Sequence, residues 1–222
     1  MTEINTAAEP FIFYTRLHLS ELTALKATTL SELLELIKTV SGASIYYHTH
    51  RFLQQHQYLS PEPPNDFAYW VTHMLGETEL GERLASIDII LFSSVRSLRE
   101  KIIFVIEDYL KKYPSSQNKF VNRGAEFHFI KSVSFIFPTG RTAGNLKELA
   151  SILRQVTIDS IYYHIFESRL RLERDENDLS RWIQHSIGDT ALADKISRLD
   201  PYTFTLEDLR AKIITLIEKS SH

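Results

Sequence analysis

The chain contains no cysteine. Disulfides, thiolate nucleophiles, Cys-ligated zinc and Cys-ligated iron–sulfur clusters are therefore excluded. Only seven glycines and seven prolines occur among 222 residues, too few for long disordered or collagen-like stretches. No Gly-x-Gly pair exists, so neither a phosphate loop nor a dinucleotide fingerprint can form, and no nucleophile elbow is present. A basic surplus is also missing. Lys and Arg number 25 against 28 Asp and Glu, a formal net charge of −3, which argues against a nucleic-acid partner. Apolar runs such as Ile87–Phe92 are broken by Asp88 and are far too short to cross a bilayer. The first ten residues are polar and acidic, unlike a secretory signal. These absences lead us to expect a soluble cytoplasmic protein. The chain does have a large aromatic inventory, with 13 Phe, 10 Tyr and 2 Trp, enough for a packed core without staples.

The organising feature is a repeat. Ser44-Ile45-Tyr46-Tyr47-His48 recurs letter for letter as Ser160-Ile161-Tyr162-Tyr163-His164. Phe11-Ile12-Phe13 is mirrored at the same shift of 116 by Phe127-His128-Phe129. Asn65-Asp66, Trp70, His73, Gly76 and Asp88 recur at a shift of 112 as Asn177-Asp178, Trp182, His185, Gly188 and Asp200. Leu98, Ile102 and Ile106 return as Leu209, Ile213 and Ile217, with helical i, i+4 spacing. Local signals agree between the copies. Thr29 with Glu32, and Asn145 with Glu148, read as helix caps with a capping box, and Gly76 sits where a C′ glycine belongs.

This pattern predicts a mainly α, pseudo-two-fold protein. It would consist of two tandem homologous repeats of about five short helices each, with a short Phe-rich extended segment ahead of each repeat. Pairing of those segments into a small sheet is the competing architecture. The expected boundaries are a flexible leader over 1–9, repeat 1 over 10–112, a linker over 113–124 and repeat 2 over 125–219, with the two repeats also compatible with one compact unit.

Ser44, Tyr47, His48 and Arg51 share a helix face at i, i+3, i+4 and i+7. Ser160, Tyr163 and His164 repeat that stripe, which ends in Glu167. The six shared residues, Ser44, Tyr47, His48, Ser160, Tyr163 and His164, are the candidate ligand-binding set. The paired histidines could hold a metal or shuttle protons. The preferred, plainer reading buries each ring beside its tyrosine and hydrogen-bonds it locally, for example from Ser44 to His48. His50 and His56 have no equivalents in the second copy. Their spacing from His48 does not match a metal helix, which uses i, i+3 or i, i+4 with a carboxylate. His48, His73 and Asp66 have the ligand types of a facial triad, but Trp70 and Trp182 more simply anchor cores, with His73 and His185 near helix C-termini. Asp66/Asp178 and Asp88/Asp200 look like paired acids whose positions suit helix capping. Arg99 with Lys101, and Arg210 with Lys212, suit solvated helix faces paired with nearby acids.

On Ser44-Ile45-Tyr46-Tyr47-His48, on the run from Leu59 to Trp70 (Leu-Ser-Pro-Glu-Pro-Pro-Asn-Asp-Phe-Ala-Tyr-Trp) and on Asn177-Asp178-Leu179-Ser180-Arg181-Trp182, the chain resembles an uncharacterised prokaryotic tandem-repeat family catalogued as a domain of unknown function. The likeness spans about residues 10–218, and no activity comes with it. The sequence thus supports a non-catalytic cytoplasmic interaction or regulatory module. It would have no catalytic residue, metal or cofactor, and it would take a protein partner or small ligand, with self-association compatible. The alternative is a small-molecule or metal-dependent enzyme with a site between the repeats around His48 and His164.

Overall fold

The computed structural model describes residues 6–55, 65–168, 176–199 and 203–220. The Phe-rich segments are far longer than expected. They form two 17-residue strands, β1 (Phe11–Ala27) and β2 (Phe127–Ala143), paired as one two-stranded antiparallel sheet. The expectation of a mainly α fold is overturned: the fold is α/β. The reason is physical. Aromatic and β-branched residues fill Phe11–Thr15 of β1 and recur through β2 from Phe127 to Thr142, and they suit a pleated, half-buried ribbon better than a helix. The ladder itself joins residues more than a hundred positions apart, which local periodicity does not register.

The helices that follow β1 are α1 (Leu30–Thr39), α2 (Gly42–Gln55), α3 (Asp66–His73), α4 (Thr78–Ala85) and α5 (Val95–Lys112). After β2 come α6 (Leu146–Leu153), α7 (Ile158–Tyr162), α8 (Asp178–Trp182), α9 (Thr190–Ser197) and α10 (Leu206–Ser220). α7 continues into a π-helical turn at Tyr163–Glu167, and α8 into another at Ile183–Ile187. Their counterparts α2 and α3 are α-helical throughout.

The caps fall where local chemistry puts them. Thr29 closes a full capping box with Glu32, and Asn65, Asn145 and Asn177 each accept a backbone N–H at the helix start. Gly76 and Gly188 take the left-handed conformation just past their helices, φ 74° and 83°, which a Cβ would oppose.

Among the described residues the chain divides into two compact units. One holds residues within 6–17 and 134–220, and the other His18–Gln55 and residues within 65–133. The boundary therefore cuts across both strands. The first unit combines the N-terminal half of β1, the C-terminal half of β2 and helices α6 to α10. The second combines the remaining strand halves with α1 to α5. In the second unit α1, α2 and α4 pack on α5 while α3 packs on α4, burying Leu33, Ile37, Leu80, Leu84, Leu98, Ile102 and Ile106. In the first unit α6, α7 and α9 pack on α10, burying Leu149, Leu153, Leu209, Ile213 and Ile217. Each strand also carries one matched irregularity. Thr23 Oγ1 donates to the Phe129 carbonyl and accepts from Leu25 N–H, with Ala24 between them at φ 62°. Thr139, Arg141 and Gly140 (φ 73°) repeat this against the Phe13 carbonyl, the arrangement of a β-bulge.

Candidate functional site

The repeated pentapeptide lies in α2 in one unit and across α7 and its π-turn in the other. In the second unit His48 is buried, 4% exposed. Its Nδ1 lies 2.8 Å from Asp66 Oδ2, and its Nε2 accepts the Ile130 N–H of β2 at 3.0 Å. In the first unit His164 is equally buried. Its Nδ1 lies 2.8 Å from Asp178 Oδ2, and its Nε2 accepts the Tyr14 N–H of β1 at 2.9 Å. A backbone N–H can only donate, so each Nε2 must offer its lone pair. Each neutral ring then carries its proton on Nδ1 and donates it to the aspartate. The histidine thus bridges a helix N-terminal carboxylate and a strand amide that faces away from the β ladder.

Apolar packing fixes each ring. His48 meets Phe127 at 4.7 Å, Tyr47 at 4.9 Å, Phe67 at 5.5 Å and Phe129 at 5.8 Å between centroids. His164 meets Phe11 and Tyr163 at 4.9 Å each and Phe13 at 5.9 Å. The two tryptophans complete the pattern. Trp70 Nε1 donates to the Ala125 carbonyl, and Trp182 Nε1 to the Glu9 carbonyl, both at 2.7 Å. The strand entry is therefore held to each unit's helices by an indole and an imidazole.

The candidate residues divide as follows. Tyr47 and Tyr163 are buried against their histidines. Ser160 Oγ donates to the Tyr14 carbonyl at 2.6 Å. Ser44 Oγ is buried and has no hydrogen-bond partner among the described residues. Neither serine bonds its histidine. Asp66 and Asp178 do not cap; the neighbouring asparagines do, which leaves each aspartate in the first helical turn free to meet the histidine. His73 and His185 are exposed, and His73 lies against Tyr69, at 4.6 Å between ring centroids. Arg99 Nη2 donates to the Val40 carbonyl and Arg210 pairs with Glu207. Arg51's side chain, His56 and Asp200 lie outside the described residues. Among those described, no three His, Asp or Glu side chains gather into a metal-binding group.

Three buried polar features carry weak or no sequence signal. His50 stacks on Tyr46 at 5.0 Å and 10°. Its Nδ1 lies 2.7 Å from Thr49 Oγ1, and burial pushes its pKa down to about 4. The position 116 residues later is Phe166, stacked on Tyr162 at 5.1 Å and 6°. Arg16, fully buried at its side chain, pairs with Glu167 at 2.8 Å and lies 4.1 Å from the Tyr162 ring centre. Glu77 is reached by the Tyr109 hydroxyl at 2.5 Å and by Lys119 at 2.9 Å. Burial pushes the Glu77 carboxyl up, but hydrogen bonds from Tyr109, Lys119 and Ser116 outweigh it and hold the pKa below the usual value. Tyr109 is pushed up to about 12, by burial first and then by Glu77. Recurrence of an acid at Asp189, 112 residues on, was the available signal for Glu77.

A model of a family of unknown function, DUF5752, matches residues 8–218. The chain is similar to the solved structure of OrfY from Thermoproteus tenax, at 28% identity and a TM-score of 0.80, covering 96% of each chain. No curated protein matches. The match over nearly the whole chain makes this protein a member of the DUF5752 family.

Proposed function

We propose that the protein is a non-catalytic cytoplasmic interaction module, with the exposed strand halves as its contact surface for a protein partner. The observation that carries this reading is the double occupancy of each repeated histidine. A general base or metal ligand needs a free ring nitrogen. In both dyads Nδ1 is committed to an aspartate and Nε2 to a strand amide. Such rings act as clamps that fasten a strand edge to a helix pair. The histidine-centred enzyme alternative would require the clamp to open before any chemistry.

The apolar side chains that remain in solvent support the second half of the reading. Leu19, Leu22 and Leu25 of β1 are 48%, 74% and 42% exposed, and Phe135, Ile136 and Phe137 of β2 between 46% and 48%. Such concentrations on a ribbon favour a contact surface over an inert face. Among the described residues no helix is long and apolar enough to cross a membrane.

The test compares the wild type with the His48→Gln/His164→Gln double variant on generic ester, phosphoester, glycoside and amide substrates. No turnover by the folded wild type above that of the variant is expected. Turnover that the wild type has and the folded variant lacks would overturn the reading.

A further inference from the structure

The outer half of β1 has a sequence that fits itself. Glu21-Leu22-Thr23-Ala24-Leu25-Lys26 carries opposite charges at its ends and matched leucines inside them. Seven of the eight residues from Leu19 to Lys26 are exposed, Thr23 alone being partly covered. The two terminal charges stand well into solvent, with side chains 57% exposed for Glu21 and 55% for Lys26. Each has a surface partner in its own chain: Lys131 at 2.9 Å for Glu21 and Glu126 at 3.6 Å for Lys26. Exposed pairs of this kind contribute little and leave the charges available.

We infer that this stretch docks on the same stretch of a second copy of the chain, antiparallel about a two-fold axis. A two-fold interface must be self-complementary. Apposing the hexapeptide with its own reverse sets Glu21 of one copy against Lys26 of the other, twice, and Leu22 against Leu25, twice. The Thr23–Ala24 kink falls on the axis. It interrupts the strand edge there, so the contact rests on side chains rather than on a continuous backbone ladder. The equivalent stretch of β2, Phe137-Pro138-Thr139-Gly140-Arg141-Thr142, carries no acid opposite its arginine and includes a proline, and is not self-complementary. The association is a small interface, weak and salt-sensitive.

The inference rests on the reading of the strand halves as a contact surface. Its failure would leave the clamp reading of the histidines untouched, because no clamp residue takes part. The experiment measures molar mass by light scattering or sedimentation, on the full chain, over a range of protein and salt concentrations. The wild type is expected to move from 25.7 kDa toward twice that mass as concentration rises, and back as salt is added. Glu21→Lys alone and Lys26→Glu alone each place like charges across the axis, and each should lower the dimer affinity at least about tenfold. The Glu21→Lys/Lys26→Glu swap restores both attractions and should recover the dimer. A chain that stays monomeric at all concentrations would overturn the inference. So would a dimer indifferent to the single reversals, or one that the double swap fails to restore.

Discussion

The two histidine clamps share every polar contact of the ring and its tyrosine and phenylalanine neighbours, yet differ in how the helix, the aspartate, the serine and the stacking partner are arranged around them. In the second unit the helix carrying His48 is α-helical, the aspartate side chain is 55% exposed and Ser44 Oγ has no partner among the described residues. In the first unit the helix carrying His164 runs into a π-turn, the aspartate is 19% exposed and Ser160 bonds the strand. The stacking partner on the first tyrosine is His50 in one and Phe166 in the other. What survives such divergence identifies what each unit needs. That common element is the bridge from carboxylate through imidazole to a strand amide, not a reactive pocket.

Removing the bridge gives the largest expected effect. His48→Ala or His164→Ala leaves a buried strand N–H without an acceptor and opens a cavity among phenylalanines. Each change should destabilise by roughly 3 kcal/mol, read as a fall in the chemical-denaturation midpoint. A change below about 0.5 kcal/mol would remove the clamp from the account.

The next effect separates the units by pH. His50 is neutral and buried, and burial lowers its pKa to about 4 from the usual value of about 6.5 for histidine. The unfolded chain therefore binds the extra proton first. The stability contributed is fully present above about pH 6.5 and is lost as pH falls toward 4, by up to roughly 3 kcal/mol. His50→Phe copies the arrangement at Phe166 and should flatten this part of the stability–pH curve. An unchanged slope in the variant would mean that His50 is not the group responsible.

The serines should respond unequally. Ser160→Ala loses the hydrogen bond to the Tyr14 carbonyl and should cost about 1 kcal/mol, whereas Ser44→Ala removes an unpartnered buried hydroxyl and should be neutral or stabilising. Equal costs at both positions would show that Ser44 has a partner after all. The smallest contrast is at the matched kinks. Ala24 holds a left-handed φ that glycine holds at 140. Ala24→Gly should stabilise by up to roughly 1 kcal/mol and Gly140→Ala destabilise by a similar amount, comparable by thermal melts. A Cβ at 140 meets no atom within 4 Å, so conformation alone sets that cost.

Much of the helical framework was legible in the sequence because its causes are local. The box at Thr29 and Glu32, the asparagine caps and the i, i+4 stripe of Leu98, Ile102 and Ile106 all lie within one or two turns. The strands were not legible. Phe11-Ile12-Phe13 suggested extension, but the kinks at Ala24 and Gly140 and the proline at 138 break the alternation that would have marked 17-residue strands. The clamps were half legible. The repeated histidines and aspartates were both visible, but their meeting depends on a packing between helices 14 to 18 residues apart in sequence. The strand amides that complete the bridge come from 82 and 150 residues away. Capping by Asn65 and Asn177 was the local cue that could have released the aspartates from that duty.

The central claim is that both histidines are neutral, internally saturated clamps. The most direct test is the ring-nitrogen NMR spectrum of His48 and His164 at neutral pH, assigned through the two single His→Gln variants. The account predicts a proton on Nδ1 and a bare, hydrogen-bond-accepting Nε2 in both rings. A proton on Nε2 in either ring would contradict it.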